Sequence, residues 1–232
     1  MTHPRVERAR TLWRHRGRTV RCPVCGWRFD AFGPAWNREG ALCWRCGAHE
    51  RHRALWLFLT RVRPELLDGA RRLLHFAPED CLQRRLAKRP GLEYVTADLD
   101  PEKGQLQLDL LDLDLEDASF DAILCSHVLE HIPDDRRAME ELHRVLDPAG
   151  WCLVMVPIDL HRAKTYEDFS ITEPAERAKA FWQEDHVRVY TRDIEDRLAG
   201  AGFAVDVWQP PEEWHGRFGL LGADLVFCCR KG

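Results

Sequence analysis

The sequence predicts a doubly wound α/β fold with a mainly parallel sheet, preceded by a small zinc-ribbon domain. After residue 70, seven strand-like segments alternate with helix-like segments, a pattern typical of a parallel sheet with helices on both faces. Before residue 48, four of the nine cysteines form two C-x2-C pairs among many glycines and prolines, as in a ribbon of short strands. These two observations define the architecture that we expect.

Turn signals divide the chain into four parts. An arginine-rich stretch from Pro4 to Arg16 is compatible with a short amphipathic helix or with a flexible arm. Pro64 and the Asp68-Gly69 pair close a second helical segment with an apolar stripe. The expected parts are a basic N-terminal arm or helix (1–19), a zinc ribbon (20–47), a connecting helix (48–69) and the α/β domain (70–232).

The paired cysteines predict a structural zinc site. Each C-x2-C pair on a tight turn brings two thiolates within reach of one ion, and 17 residues separate the pairs. Four protein ligands leave no open position, so the predicted role of Zn2+ is structural. The expected ligands are Cys22, Cys25, Cys43 and Cys46, while His49 and His52 are predicted to belong to the following helix.

Charge is distributed unevenly along the chain. Residues 1–64 hold 14 arginines and four acidic residues, a local charge of +10, and the remaining residues carry −14. The basic part either meets phosphates, as in RNA, or docks on the acidic domain that follows. The segment Glu50-Arg51-His52-Arg53 either faces a cleft or forms a solvated first helical turn.

Composition excludes several classes of protein. The chain is 45% hydrophobic and 31% charged, which is globular composition. No stretch approaches the roughly 20 apolar residues that cross a bilayer, and the arginine-rich N-terminus lacks the apolar core of a secretory signal. We therefore expect a cytoplasmic protein with no membrane partner. Its oligomeric state does not follow from composition.

Polar residues stand where the predicted parallel strands end. In a doubly wound sheet, ligands bind outside the carboxyl ends of the strands at the switch point. Asp98 lies 21 residues after Ala77, the spacing at which a carboxylate binds ribose hydroxyls. Asp109 can accept a hydrogen bond from an adenine amine, and Leu110 can cover the ring. Nucleotide binding at this edge is the resulting prediction.

The order of these motifs resembles that of the class I S-adenosylmethionine-dependent methyltransferases, which have a Rossmann-like fold. YVTADLDP, LDLLDLDLEDASFDAILCSHVLEHIPDD, ELHRVLDPAGWCLVMVP and LAGAGFAV carry the resemblance over roughly residues 70–232. It implies that Asp98, with Leu99 beside it, binds the cofactor ribose. It also implies that Asp109 and Leu110 bind the adenine, and that Ser126 and His127 flank the methionine part or the methyl group.

One segment departs from the pattern of that family. The loop LHFAPEDC replaces the usual glycine-rich loop and contains no glycine. His75 stands at the family's acidic position and Ala77 at its first glycine, and Glu79 is predicted to supply the carboxylate for the cofactor's ammonium group. Pro78 and Glu79 would also suit the start of a helix, and both interpretations can hold together.

Methyl transfer from a sulfonium needs few catalytic side chains, because holding the nucleophile at near-attack distance provides much of the acceleration. An alcohol, phenol or protonated amine needs a general base, for which His127 and His131 are the candidates. The segment VLEHI would equally suit a turn after a strand. The stretch 159–190, which contains His186 and Trp182, is predicted to form a lid or an acceptor wall.

Three functions follow from these observations. The first is methylation of a small molecule, with the ribbon as a cap over the cleft. The second is methylation of RNA, with the arginine-rich ribbon binding the substrate. The third is a non-catalytic binding module that no longer binds the cofactor.

Overall fold

The computed structural model describes residues 4–36 and 38–232, and its N-terminal part is a helix followed by two small hairpins. The second hairpin leads directly into a helical connection, which includes one π-helical segment at Phe58–Val62. The elements are α1 (Pro4–Arg14), β1 (Arg16–Arg21), β2 (Arg28–Phe29), β3 (Gly33–Ala35), β4 (Arg38–Leu42), α2 (Glu50–Leu57) and α3 (Pro64–Gly69).

Nine strands follow, and seven of them form one sheet. They are β5 (Arg72–Phe76), β6 (Glu93–Asp98), β7 (Leu106–Gln107), β8 (Phe120–Ser126), β9 (Leu146–Met155), β10 (Tyr166–Glu167), β11 (Arg188–Val189), β12 (Phe203–Trp208) and β13 (Val226–Lys231). The sheet order is β12-β13-β9-β8-β5-β6-β7, with β10 and β11 as a separate pair. In this sheet only β13 is reversed: it runs antiparallel to both of its neighbours, β12 and β9, and the other pairs are parallel. The predicted seven-stranded, mainly parallel, Rossmann-like sheet is confirmed.

Helices cover both faces of this sheet. They are α4 (Asp80–Leu86), α5 (Asp135–Val145), α6 (Pro174–Phe181), α7 (Ile194–Gly200) and α8 (Glu212–Phe218), with a 3-10 turn at Leu129–His131. Successive strand residues point to opposite faces. Leu73 therefore joins one buried cluster with Leu55 of α2, and Leu74 joins a second cluster with Met139 of α5. The first cluster also includes Phe29, so the ribbon shares a core with the sheet.

Within residues 4–36 and 38–232, no helix combines the length and apolar character needed to cross a bilayer.

Candidate active site and cysteine cluster

The four paired cysteines meet at one point of the ribbon. The Sγ atoms of Cys22 and Cys46 are 3.6 Å apart, and those of Cys25 and Cys43 are 3.7 Å apart. All four sulfur atoms lie within 4.8 Å of one another. A tetrahedral ion with metal–sulfur bonds of about 2.3 Å would separate its ligands by about 3.8 Å. The spacing of the four sulfurs therefore fits a tetrahedral S4 shell.

Two equivalent turns hold the sulfurs in place. In the first turn, Gly26 donates its backbone N–H to the Cys22 carbonyl at 2.9 Å, and in the second Gly47 donates to Cys43 at the same distance. Both glycines have positive φ, +81° and +74°, which a side chain would strain. His52 lies in α2 and contacts Glu79, outside the cysteine cluster. His52 thus lies on the helix as predicted, whereas His49, predicted to lie there too, is the N-cap residue just before the helix begins.

The segment Glu50-Arg51-His52-Arg53 is largely buried, so the solvated-turn interpretation is wrong. Glu50, His52 and Arg53 are 4%, 4% and 0% exposed. Burial of these polar groups is possible because each has a partner from another element. Glu50 pairs with Arg38 at 3.2 Å, and Arg51 lines a cavity of about 770 Å³.

Arg53 joins the ribbon to the C-terminal part of the α/β domain. Its guanidinium donates hydrogen bonds of 2.7–2.8 Å to the carbonyl oxygens of Ala41 in the ribbon and of Ala48 directly after it. It also donates to those of Phe218 and Gly219 at the end of α8, both at 2.7 Å, of which the Gly219 bond is partly buried. Four carbonyl acceptors thus share one buried donor group, which fixes the ribbon against the sheet.

The predicted cofactor crevice lies at the carboxyl ends of three neighbouring strands. β5 is paired with β6 on one side and with β8 on the other, all parallel, so their ends meet at the switch point. Directly after β5, Ala77 has a φ of +46°, a conformation that glycine adopts more readily. The loop therefore has a backbone conformation that is typical of glycine, although it contains no glycine. Such strain in a non-glycine residue is typical of functional loops.

Glu79 is held by two histidines. Its Oε2 lies 3.1 Å from His75 Nε2, and its Oε1 lies 3.3 Å from His52 Nε2 without good hydrogen-bond alignment. His49 donates its backbone N–H to His52 Nδ1, so the proton of neutral His52 is on Nε2. Burial would raise the pKa of Glu79, but its hydrogen-bond contacts with His52 and His75 hold it well below its ordinary value. Glu79 is therefore an anion, and it occupies the N-cap position of α4 without a capping hydrogen bond from its side chain.

Asp98 ends β6 and is half-buried. One of its oxygens accepts a hydrogen bond from the Asp100 N–H at 2.9 Å. Among the described residues, the other oxygen makes no hydrogen bond. Leu99, the next residue, is 67% exposed, which leaves its side chain free to cover a ligand. These two residues have the position at the strand end that ribose binding requires.

The predicted end of the third strand is wrong by two residues. β7 ends at Gln107, so Asp109 and Leu110 lie in the loop that follows. Asp109 accepts the Leu111 N–H through its side chain at 2.9 Å, and such local bonds compete with strand pairing. Asp109 is exposed, and Leu110 is buried at 4% exposed.

Ser126 and His127 end β8. Ser126 is buried, and its Oγ has no hydrogen-bond partner among the described residues. His127 has a φ of +57° and lies 3.1 Å from Glu130 Oε1 through Nδ1. His131 lies 3.2 Å from Asp185 Oδ2, also through Nδ1. Each predicted catalytic histidine is thus adjacent to a carboxylate.

A cavity of about 770 Å³ opens beside His127. Its walls come from the ribbon, from α2, from the end of β9 with the lid segment 159–190, and from the loop after α8. His127 is the one predicted catalytic or cofactor residue in the wall. The other lining residues are Trp36, Arg38, Arg51, Met155, Val156, Pro157, Ile158, Ala178, Trp182, Gln183, His186, Leu221, Ala223 and Asp224.

Asp224 is a cavity residue that the sequence did not reveal. Burial raises its pKa to about 6, and the charge of Glu50 adds to the shift. A carboxylate with a pKa near neutral pH can act as a general base, so Asp224 joins His127 as a candidate. No sequence signal marks it, because Asp224 follows Gly222 and Ala223 in an ordinary loop and its burial depends on distant elements.

The raised pKa of Asp224 predicts a pH-dependent effect on stability. The folded state binds the Asp224 proton more tightly than the unfolded state does. Protonated Asp224 therefore stabilises the folded state below about pH 4, and this stabilisation is lost as the pH rises through about 6. Asp224→Asn should therefore stabilise the protein at about pH 7.5, on the order of 1–2 kcal/mol after solvent screening, and not at about pH 4. Urea unfolding at both pH values measures this difference. Asp206→Asn, at an exposed position of β12, is the control. An equal effect of Asp224→Asn at both pH values would contradict the prediction.

The comparisons with known proteins agree with this geometry. Residues 78–154 match the family described as a methyltransferase domain. Among solved structures, an S-adenosylmethionine-dependent methyltransferase from Mesorhizobium loti is 18% identical, with 77% of this chain and 98% of that chain covered and a TM-score of 0.55. The cyclase SpnF is 16% identical, with 90% and 91% covered and a TM-score of 0.56.

A third similar structure carries a bound product of the cofactor. It is the 1,6-didemethyltoxoflavin-N1-methyltransferase from Burkholderia thailandensis with S-adenosylhomocysteine, 19% identical, with 77% and 81% covered and a TM-score of 0.50. At these identities, likeness of structure shows the fold. The family match concerns residues 78–154, which extend from the glycine-free loop into β9. The comparisons thus show the Rossmann-like fold that the sequence predicted, and they show that residues 78–154 are similar to the methyltransferase-domain family.

Proposed function

We propose that this protein binds S-adenosylmethionine in the crevice at the ends of β5, β6 and β8 and transfers its methyl group to a small molecule in the adjoining cavity. The observation that carries the proposal is the position of two consecutive residues at the end of β8. Ser126 belongs to the predicted cofactor site, and His127 lines the cavity. A methyl group held between them would face an acceptor in that cavity.

The polar atoms at the crevice fit the cofactor. Asp98 offers a carboxylate oxygen to the ribose, and the buried Ser126 Oγ needs a hydrogen-bond partner. Glu79 is an anion with one poorly aligned oxygen, which suits the ammonium group of the methionine part. The bound cofactor supplies an electrophilic methyl group on a sulfonium. The chain's own residues orient it, and His127 or Asp224 accepts the proton that an alcohol or phenol would release.

We also propose that the cysteine cluster binds Zn2+ as a structural ion. The donor set of four thiolates and the 3.6–3.7 Å sulfur spacing support this assignment. In this proposal, residues 20–47 are a ribbon that roofs the cavity through Trp36 and Arg38. The division into an arm (1–19), a ribbon (20–47), a connecting helix (48–69) and a methyltransferase domain (70–232) is part of the same proposal.

Titration calorimetry with S-adenosylmethionine on folded protein tests the cofactor proposal. Asp98→Asn replaces a charged acceptor by a neutral amide, so it should weaken binding by about 2–3 kcal/mol, or 30-fold to 150-fold in Kd. Asp206→Asn on β12 should leave Kd unchanged, because this residue lies at the far edge of the sheet. A silent titration of the wild-type protein would instead support a non-catalytic binding module.

RNA methylation is a second candidate, and one observation favours it. Arg53 and Arg38 are occupied by contacts within the protein, whereas Arg10, Arg14, Arg16 and Arg18 on α1 and β1 are exposed. An exposed basic surface of this kind suits phosphates. RNA binding that falls steeply with salt would support this candidate, and no binding at low salt would exclude it.

A further inference from the structure

Three potential metal ligands lie together away from the cysteine cluster. Glu130, His131 and His186 each place one ligand atom within 4.8 Å of the others. Glu130 and His131 belong to the 3-10 turn after β8, and His186 precedes β11 in the lid segment. His186 and the neighbouring His127 line the cavity, so the cluster lies at its wall.

His186 presents an unprotonated nitrogen to this cluster, and His131 has a carboxylate beside its far nitrogen. His186 Nδ1 lies 2.9 Å from the Phe181 carbonyl, which can only accept, so Nδ1 carries the proton. Its Nε2 then has a free lone pair, and this atom is buried without a hydrogen-bond partner among the described residues. His131 Nδ1 lies 3.2 Å from Asp185 Oδ2, an ion-pair contact without hydrogen-bond alignment. A carboxylate or carbonyl on the far nitrogen is the usual arrangement for a metal-bound histidine.

Glu130 needs a cation. It is 1% exposed, and neither of its oxygens makes a hydrogen bond with good geometry, although His127 Nδ1 is 3.1 Å from Oε1. A buried carboxylate without hydrogen bonds is costly, and such groups in native structures call for a specific explanation. An ion that binds Glu130 and the two imidazoles would satisfy the orphaned oxygen and the orphaned nitrogen together.

The surrounding structure fixes the three ligands. The buried Arg188 donates hydrogen bonds to the carbonyls of Leu129 and Pro133, at 3.0 Å and 2.7 Å, and so holds the turn on both sides. Val187 donates its backbone N–H to the Glu130 carbonyl at 2.9 Å, which ties the lid segment to the turn. The ligands are therefore held by packing rather than carried on a free loop.

We propose that Glu130, His131 and His186 bind a divalent transition-metal ion such as Zn2+ at the wall of the cavity. Two imidazoles and one carboxylate form a set that suits Zn2+ and its neighbours in the first row, and three protein ligands leave at least one position open. That position would take water or an oxygen atom of the methyl acceptor. Contact between the metal ion and a methyl acceptor rests on the proposed methyltransferase function, whereas the metal site itself does not.

Metal stoichiometry tests the proposal without the cofactor. Protein stripped with a chelator and reloaded with Co2+ should bind two ions per chain. One should give the intense charge-transfer absorption of thiolate ligands, and the other should give weak absorption without it. Elemental analysis of zinc-loaded protein should likewise give two ions per chain. One ion per chain in the wild-type protein, with the thiolate band complete, would overturn the proposal.

Variants locate the second ion. Glu130→Gln and His186→Gln should each remove the ion without thiolate absorption and keep the thiolate band, which shows that the ribbon is still folded. His161→Gln, an exposed histidine of the same lid segment, should keep both ions. Two ions in all three variants would contradict the ligand assignment. Because these measurements contain no S-adenosylmethionine, a failure here leaves the separate calorimetric test of the cofactor intact.

Discussion

Replacing Cys43 by serine should remove one zinc ion per chain and unfold residues 20–47. Metal binding in four-thiolate sites contributes about 10–16 kcal/mol in apparent terms, and a neutral serine hydroxyl does not replace a thiolate. Burial of the ribbon's apolar residues depends on the core that it shares with the sheet, which includes Phe29 and Leu55. Metal analysis and limited proteolysis measure the two effects, with new cleavage expected in 20–47.

A buried cysteine outside the cluster provides the control. Cys228 in β13 is 2% exposed and belongs to the same core, so Cys228→Ser should lower stability but keep the zinc ion. Loss of zinc from both variants would mean that general destabilisation, rather than ligand loss, releases the ion. Full zinc content in Cys43→Ser would contradict the four-thiolate assignment.

Arg53→Lys should destabilise the protein by about 3–5 kcal/mol, because a buried acceptor without a donor costs roughly 1–3 kcal/mol and a lysine cannot reach four carbonyls. One of these carbonyls belongs to the ribbon, one to the residue directly after it, and two to the end of α8. Loss of the Arg53 hydrogen bonds should therefore also weaken the contact between the ribbon and the α/β domain. Urea unfolding measures the free energy, and hydrogen exchange at Ala41 and Gly219 reports the contact.

The matched control for this substitution is Arg18→Lys, at an exposed position of β1. It should change stability by less than about 0.5 kcal/mol, as surface substitutions usually do. If Arg53→Lys changed the free energy of unfolding as little as Arg18→Lys, the claim that the Arg53 guanidinium joins the ribbon to the α/β domain would be wrong.

The sequence predicted the parts of the structure that depend on local patterns. Alternation of strands and helices is a property of short windows, so the order of the sheet elements and the strand-end position of Asp98 followed directly. The C-x2-C spacing likewise determines which sulfurs can meet, and the four cysteines do lie together. The end of β7 was misplaced, because the side-chain bond of Asp109 to Leu111 replaces strand pairing there.

Long-range packing was not predictable in the same way. Arg53 and Phe218 are 165 residues apart in the chain, so no local pattern shows that this arginine is buried. The raised pKa of Asp224 depends on burial and on the charge of Glu50. The grouping of His186 with Glu130 depends on how the lid segment folds back onto the turn after β8. These contacts are defined only once the three-dimensional structure brings distant segments together.

The central claim is that the crevice at the ends of β5, β6 and β8 holds the cofactor beside the cavity. A crystal structure with S-adenosylhomocysteine bound tests it most directly. The account predicts that the ribose hydroxyls contact the Asp98 carboxylate and that the sulfur faces His127 and the cavity beyond it. A ligand bound elsewhere, or one whose sulfur points away from His127, would contradict it.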